Sequence, residues 1–302
     1  MLDLARLRAL HAVAAYGSVG SAASALGYTP SAVSQQIAKL ERETRTTLLE
    51  RRGRGVTLTD AAYRLAETAG QVLDLVEQAE VTLEEQRGQA VGRIMLASFA
   101  TAARGLLPAV VADLLRHHPT LDVRLLEIDP PQAAEAVGRG EIDLAVVHDW
   151  ENTPLAVPDG LERAELGADV ADVLLPSAHH LAGRAELTPA DLAGERWLCQ
   201  PEGTICHDWL VRTFRAARIE PIVGYRVTEY QTQLALLAAG VGVGLLPRLG
   251  RGPLPDGVVA VPLRPTPTRR LFAVWRAQAT RRPAIAVTVA ALRRHWDTRD
   301  TA

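Results

Sequence analysis

Ser31, Ser34, Gln35 and Lys39 share one face of any helix that holds them, since they lie zero, three, four and eight positions from the first. Two hydroxyls, a carboxamide and an ammonium can hydrogen-bond base edges and neutralise a phosphate, which is the chemistry of duplex DNA readout. Val33, Ile37 and Leu40 occupy the opposite face and turn inward. A second basic group follows within 48–59, where Arg51, Arg52 and Arg54 crowd a glycine-marked turn between two short extended pieces. Beside a DNA-reading helix, such a wing suits flanking phosphates or the minor groove. A helical bundle with a solvated polar face would carry the same residues.

A third group, beyond residue 91, points to a small ligand. Ser98, Phe99, Ala100 and Thr101 follow a strand-like run and open a helix, and Glu202, Gly203 and Thr204 hold the equivalent place later. Helix N-termini offer free N–H groups and positive dipole to an anion. His148, Asp149 and Trp150 end another strand, and Tyr230 begins a helix near the same mouth. The expectation is a small carboxylate whose body packs on Phe99, Trp150 or Tyr230. Asp149 would repel a carboxylate, so an amino-acid-like ligand with a cationic group stays open. Plain helix capping and core filling would use the same residues.

Other constellations are rejected. Cys199, Cys206 and His207 are too few ligands at poor spacing for zinc, so no metal site and no cofactor is expected. The run Gly240-Val241-Gly242-Val243-Gly244 follows a helix and leads into a strand, the reverse of a dinucleotide fingerprint. His117-His118 and His179-His180 read as surface pairs. No Ser–His–Asp set, phosphate loop or paired-carboxylate site is legible.

These residues need elements to hold them. Leu4, Leu7, Leu10 and Val13 mark a first helix, and Ala22, Ala23 and Leu26 a second that Gly27 ends. Thr29 caps the next helix and Pro30 suits its first position, where the missing N–H has no partner anyway. Thr59 caps a long helix on which Leu58, Ala62, Leu65, Ala69, Val72, Val76, Ala79 and Leu83 form a heptad seam. Such a seam wants the same helix of a second subunit, although packing on the chain's own body would also use it. From residue 91 the pattern becomes β/α alternation. Strands are expected near 93–97, 121–127, 142–148, 170–175, 196–199, 222–227, 243–246, 258–263 and 271–275. Helices are expected near 102–117, 132–139, 206–217, 232–239 and 283–296. The fold class is thus α+β multidomain: a winged helix-turn-helix over 1–59, a linker helix over 60–90, and an α/β two-lobed domain over 91–302. Lobe 1 takes about 91–164 and 265–302, and lobe 2 about 165–264, with ligands at strand carboxyl ends.

Composition agrees. Of 302 residues 48% are apolar, ordinary for a globular protein, and no window is long and apolar enough for a membrane span. Asp3 and early amphipathic spacing argue against a secretory signal, and two cysteines argue against a disulfide framework, so a cytoplasmic location is expected. The net charge of −2 hides eight Lys/Arg against five Asp/Glu within residues 1–60, a basic head on an acidic body.

The motifs SAASALGYTPSAVSQQIAKLE, LLERRGRGVTLTDAA and LLAAGVGVGLLP, in this order along the chain, resemble those of the LysR-type transcriptional regulators. The resemblance implies a bacterial, non-enzymatic regulator that binds an operator in double-stranded DNA. It also implies a dimerising linker helix, a tetramer built of two dimers, and RNA polymerase as a further candidate partner. The regulatory domain would be like type 2 periplasmic binding proteins, with a small-molecule co-inducer between its lobes. Carried over, the DNA contacts are Thr29, Pro30, Ser31, Ser34, Gln35 and Lys39, with Arg51, Arg52 and Arg54 from the wing. Peroxide-sensing members place a reactive cysteine near the loop that Cys199 and Cys206 flank. The chain departs from the pattern at Pro30-Ser31, where many members read Gln-Pro, at Gln35, where many have Arg, and at Ala62, a frequent Gly. Rival readings are a solute-binding protein with a helical extension and an α/β enzyme using the cleft.

Overall fold

A computed structural model describes residues 2–52, 55–87 and 89–299, which form two compact units, Met1–Gly88 and Gln89–Ala302. The first unit runs α1 (Leu4–Tyr16), α2 (Val19–Leu26), α3 (Pro30–Thr44), β1 (Leu49–Arg52), β2 (Gly55–Leu58) and α4 (Asp60–Arg87). Its boundaries follow from capping. Asp3, Ser18 and Thr29 each accept a backbone N–H of the helix that follows, and Gly27 ends α2 at φ +68°. Val33, Ile37 and Leu40 of α3 are fully buried with Leu7, Leu10 and Val13 of α1, each side chain worth about 1.5–3 kcal/mol on burial.

Thr59 Oγ1 accepts Ala62 N–H at 3.2 Å and donates to the Thr47 carbonyl at 2.9 Å, so α4 starts where expected. The heptad seam behaves differently along its length. Leu58, Ala62, Ala66 and Ala69 are buried in the core of the first unit, where α4 packs on α1, with Leu65 and Val72 partly buried beside them. Small side chains let α1 approach closely here, and His11 Nδ1 lies 3.1 Å from the Ala66 carbonyl. Further along α4, Leu83 of the seam is 56% exposed, and Leu75, which lies off the seam, is 63% exposed. The seam expected over the whole helix is therefore used by α1 in its first half, while Leu83 at its far end is exposed.

The second unit contains β3 (Gly92–Ser98), α5 (Ala100–Gly105), α6 (Leu107–His117), β4 (Leu121–Glu127), α7 (Pro130–Gly138), β5 (Leu144–Trp150) and β6 (Leu161–Pro176). It continues with β7 (Arg196–Cys199), α8 (Ile205–Ala216), β8 (Ile222–Arg226), α9 (Tyr230–Ala238), β9 (Val243–Pro247), β10 (Val258–Pro262), β11 (Thr268–Arg276) and α10 (Pro283–Arg299). The strands order as β4-β3-β5-β11-β6-β9-β7-β8, with β10 also on β6. The helix expected over 102–117 is two helices, because the chain leaves helical geometry at Leu106 and Pro108 opens the next one. The strand expected over 170–175 is the end of a much longer β6. It pairs with β11 up to Val170 and with β9 and β10 beyond it, so one strand carries the chain through both lobes. Separate cores fill lobe 1, around Leu96, Leu144 and Leu292, and lobe 2, around Trp197, Phe214 and Val261. Among the described residues no helix is long and apolar enough to cross a membrane.

Candidate DNA-reading helix and regulatory cleft

On α3 the side chains of Thr29, Pro30, Ser31, Ser34, Gln35 and Lys39 are all exposed, in one array above the buried apolar face. Thr29 Oγ1 caps the helix at Ala32 N–H, 3.2 Å away, so its hydroxyl positions the helix start. Tyr28, unremarked in the sequence, is 54% exposed immediately before it. The wing is tied to the same helix. Glu41 Oε1 accepts Leu48 N–H at 2.7 Å and Leu49 N–H at 3.0 Å, fixing where β1 leaves α3. Arg51 and Arg52 lie on β1 opposite Val56 and Gly55. Arg54 falls outside the described residues.

In the regulatory unit, the carboxyl ends of β3 and β5 bring Phe99, His148 and Trp150 together. Phe99 and His148 meet edge-on at 4.5 Å between ring centroids, and His148 and Trp150 at 5.9 Å. At their centre stands a residue absent from the sequence expectations, Arg269, with no exposure at all. Its guanidinium lies 4.9 Å from the Phe99 ring centroid and 5.9 Å from that of Trp150. Nε and Nη2 donate to Asp169 Oδ2 at 3.0 and 2.7 Å, and Nη2 donates to Thr101 Oγ1 at 2.8 Å. Asp169 also accepts Leu249 N–H at 3.1 Å. Burial and the Arg269 charge hold the His148 imidazole well below its usual pKa, so it is neutral at pH 7.

The expected ligand residues divide. Ser98 and Thr101 are buried; the Thr101 hydroxyl serves Arg269, and Ser98 Oγ reaches only the Phe99 carbonyl at 3.4 Å. Ala100 packs against the cluster that contains Tyr230. Trp150 and Tyr230 line a cavity of about 20 Å³ with Trp197, Gln200, Cys199 and Cys206, room for about one water. Asp149 is not among them. It pairs in register with Arg270, on the sheet face opposite His148 and Trp150, and Arg270 grips it at 2.9 and 3.1 Å. Its expected repulsion of a carboxylate is therefore removed. Thr204 caps α8, accepting His207 N–H, and Gly203 lines a separate groove between α8 and β8. The first turn of α8 instead faces Asp129 of lobe 1. Burial pushes the Asp129 carboxyl up to about 6, the Ile205 N–H opposing the shift and Asp208 adding to it.

Neither cysteine is an activated thiol. Burial pushes Cys199 up to about 12 and also raises Cys206, whose Sγ lies 3.9 Å from Tyr230 Oη. The glycine run is structural: a Cβ on Gly242 would collide with the Arg196 carbonyl.

Two family models match the chain. Residues 4–63 match the bacterial regulatory helix-turn-helix protein, lysR family, and residues 87–297 match the LysR substrate binding domain. The chain belongs to the LysR family. The probable HTH-type transcriptional regulator LrrA of Synechococcus elongatus is 30% identical over 94% of both chains. The HTH-type transcriptional regulator XapR of Escherichia coli is also 30% identical, over 96% of this chain and 97% of its own. Among solved structures, a full-length OxyR variant from Pseudomonas aeruginosa superposes with a TM-score of 0.68 at 21% identity, covering 97% of this chain and 95% of that one. This LysR-family chain is a DNA-binding transcriptional regulator, with its helix-turn-helix in the first unit and its effector-binding domain in the second.

Proposed function

We propose that this regulator is a cytoplasmic, non-enzymatic dimer whose operator binding or promoter activation responds to a small carboxylate with an apolar or aromatic body. The observation that carries this reading is the gathering of Phe99, His148 and Trp150 around the Asp169-paired Arg269 guanidinium at the carboxyl ends of β3 and β5. The Ile205 N–H at the α8 N-terminus supports it, because that N–H favours the charged form of the Asp129 carboxyl against the larger opposing effect of burial. An incoming carboxylate would compete with Asp129 there. The cavity holds about one water, so a ligand enters only as the lobes part, and its binding free energy is thereby linked to lobe arrangement. With Asp149 neutralised by Arg270, the case for a cationic group on the ligand lapses. The distal half of α4, where Leu75 and Leu83 are exposed, is the dimer contact.

The test is fluorescence anisotropy on DNA upstream of the protein's own gene, repeated with a panel of aliphatic and aromatic carboxylates and the matching amines. A carboxylate that changes operator affinity in the wild type, and ten times less in Tyr230→Phe or Trp150→Phe, agrees with the proposal. Response to amines alone, or catalytic turnover of the ligand, would overturn it.

A further inference from the structure

Outside the cleft, one cluster has the make-up of a metal site. His179 and His180 lie in the excursion that leaves β6, and Glu195 is the residue before β7, where that excursion returns. His179 Nε2 is 3.3 Å from Glu195 Oε2, His180 Nε2 is 3.9 Å from Glu195 Oε1, and the three ligand atoms fall within 4.8 Å of one another. A tetrahedral ion with bonds of about 2.0–2.1 Å needs ligand atoms about 3.3–3.4 Å apart. One edge of that tetrahedron is already formed. The His179 and Glu195 side chains are 15% and 22% exposed, held by their surroundings, whereas His180 is 69% exposed and free to swing the remaining distance. The two imidazole rings stack at 4.5 Å with a tilt of 32°.

We propose that His179, His180 and Glu195 bind one divalent ion of the zinc class, with water completing the shell. Two imidazoles and a carboxylate favour Zn²⁺, Ni²⁺ or Cu²⁺ over the oxygen-seeking Mg²⁺ and Ca²⁺. His179 Nδ1 accepts Leu181 N–H at 3.3 Å, which places the ring proton on Nε2, aimed at Glu195. On loading, the ion takes Nε2, the ring proton moves to Nδ1, and the Leu181 contact is given up. The site is separate from the ligand cleft. Glu195 precedes β7, and the β7 residues that line the cavity, Trp197 to Cys199, stand about 7–13 Å further along at about 3.3 Å per strand residue. A bound ion ties the two ends of the 177–195 excursion together and stiffens lobe 2 without touching the cleft.

The experiment uses the full chain without a polyhistidine tag. Zn²⁺ is titrated in competition with a chromophoric chelator, and Co²⁺ is followed by its visible absorption. One ion per chain is expected, with a Zn²⁺-dependent rise in Tm and at least tenfold weaker binding in both His180→Ala and Glu195→Gln. The exposure of His180 keeps its variant folded, checked by an unchanged Tm without metal. Equal binding in the variants, no retained ion, or thiolate charge-transfer absorption from Cys199 or Cys206 would each overturn the assignment.

Discussion

Arg269→Met removes the charge at the centre of the cleft while keeping most of the aliphatic volume. Asp169 then loses both guanidinium bonds and retains only Leu249 N–H at 3.1 Å, while Thr101 Oγ1 loses a donor at 2.8 Å. The Asp169 side chain is 4% exposed, so water cannot replace the lost partner. Orphaning one member of a buried pair costs about 3–5 kcal/mol, far above the 0–1 kcal/mol typical of surface pairs. With a urea m-value of about 3 kcal/mol/M, the unfolding midpoint should fall by about 1–1.7 M. The assay can be done on the intact chain, because all five tryptophans lie in the regulatory unit and their fluorescence follows that unit alone. The double variant Asp169→Asn/Arg269→Met removes the orphaned charge and should recover at least half of the loss. A drop below about 1 kcal/mol, or a double variant no more stable than the single one, would show that the pair is not what holds this junction.

Gln35→Ala should cost roughly 1–3 kcal/mol of operator affinity and relax one base position, whereas Lys39→Ala should weaken all sequences alike and flatten the salt slope by about one. Anisotropy over a salt series separates the two patterns. Leu75→Asp/Leu83→Asp should convert the dimer to monomer in sedimentation velocity while leaving tryptophan fluorescence unchanged, since neither side chain belongs to a core. Asp129 supplies a pH dependence. Its folded pKa is raised to about 6, so its contribution to stability is full below about 4 and is lost as pH rises through about 6. The urea midpoint of the regulatory unit should therefore fall from pH 5 to pH 7 by more in the wild type than in Asp129→Asn, and equal slopes would exclude Asp129 as the group responsible.

What the sequence made legible was local. The caps at Thr29 and Thr59, the Gly27 stop and the buried Val33/Ile37/Leu40 stripe depend on neighbours within a few positions, where spacing alone carries the information. The strand ends that gather Phe99, His148, Trp150 and Tyr230 were readable for the same reason. The Arg269–Asp169 pair was not, because its partners stand 100 residues apart and meet only through the register of β11 on β6. One signal was present: Arg269 has the same strand parity as Leu271, Ala273 and Trp275, all of which face the lobe 1 core. A cation at an inward position of an apolar strand demands a buried partner. Asp149 failed by the same parity, since adjacent strand residues face opposite ways and only one of Asp149 and Trp150 could face the cleft. The half-used seam of α4 has a different cause. Heptad spacing records that a face is apolar but not whose surface covers it, and α1 is already there to bury Ala62, Ala66 and Ala69. Leu75 and Leu83 stand outside the first unit's core, which is why the sedimentation experiment bears on assembly rather than on folding.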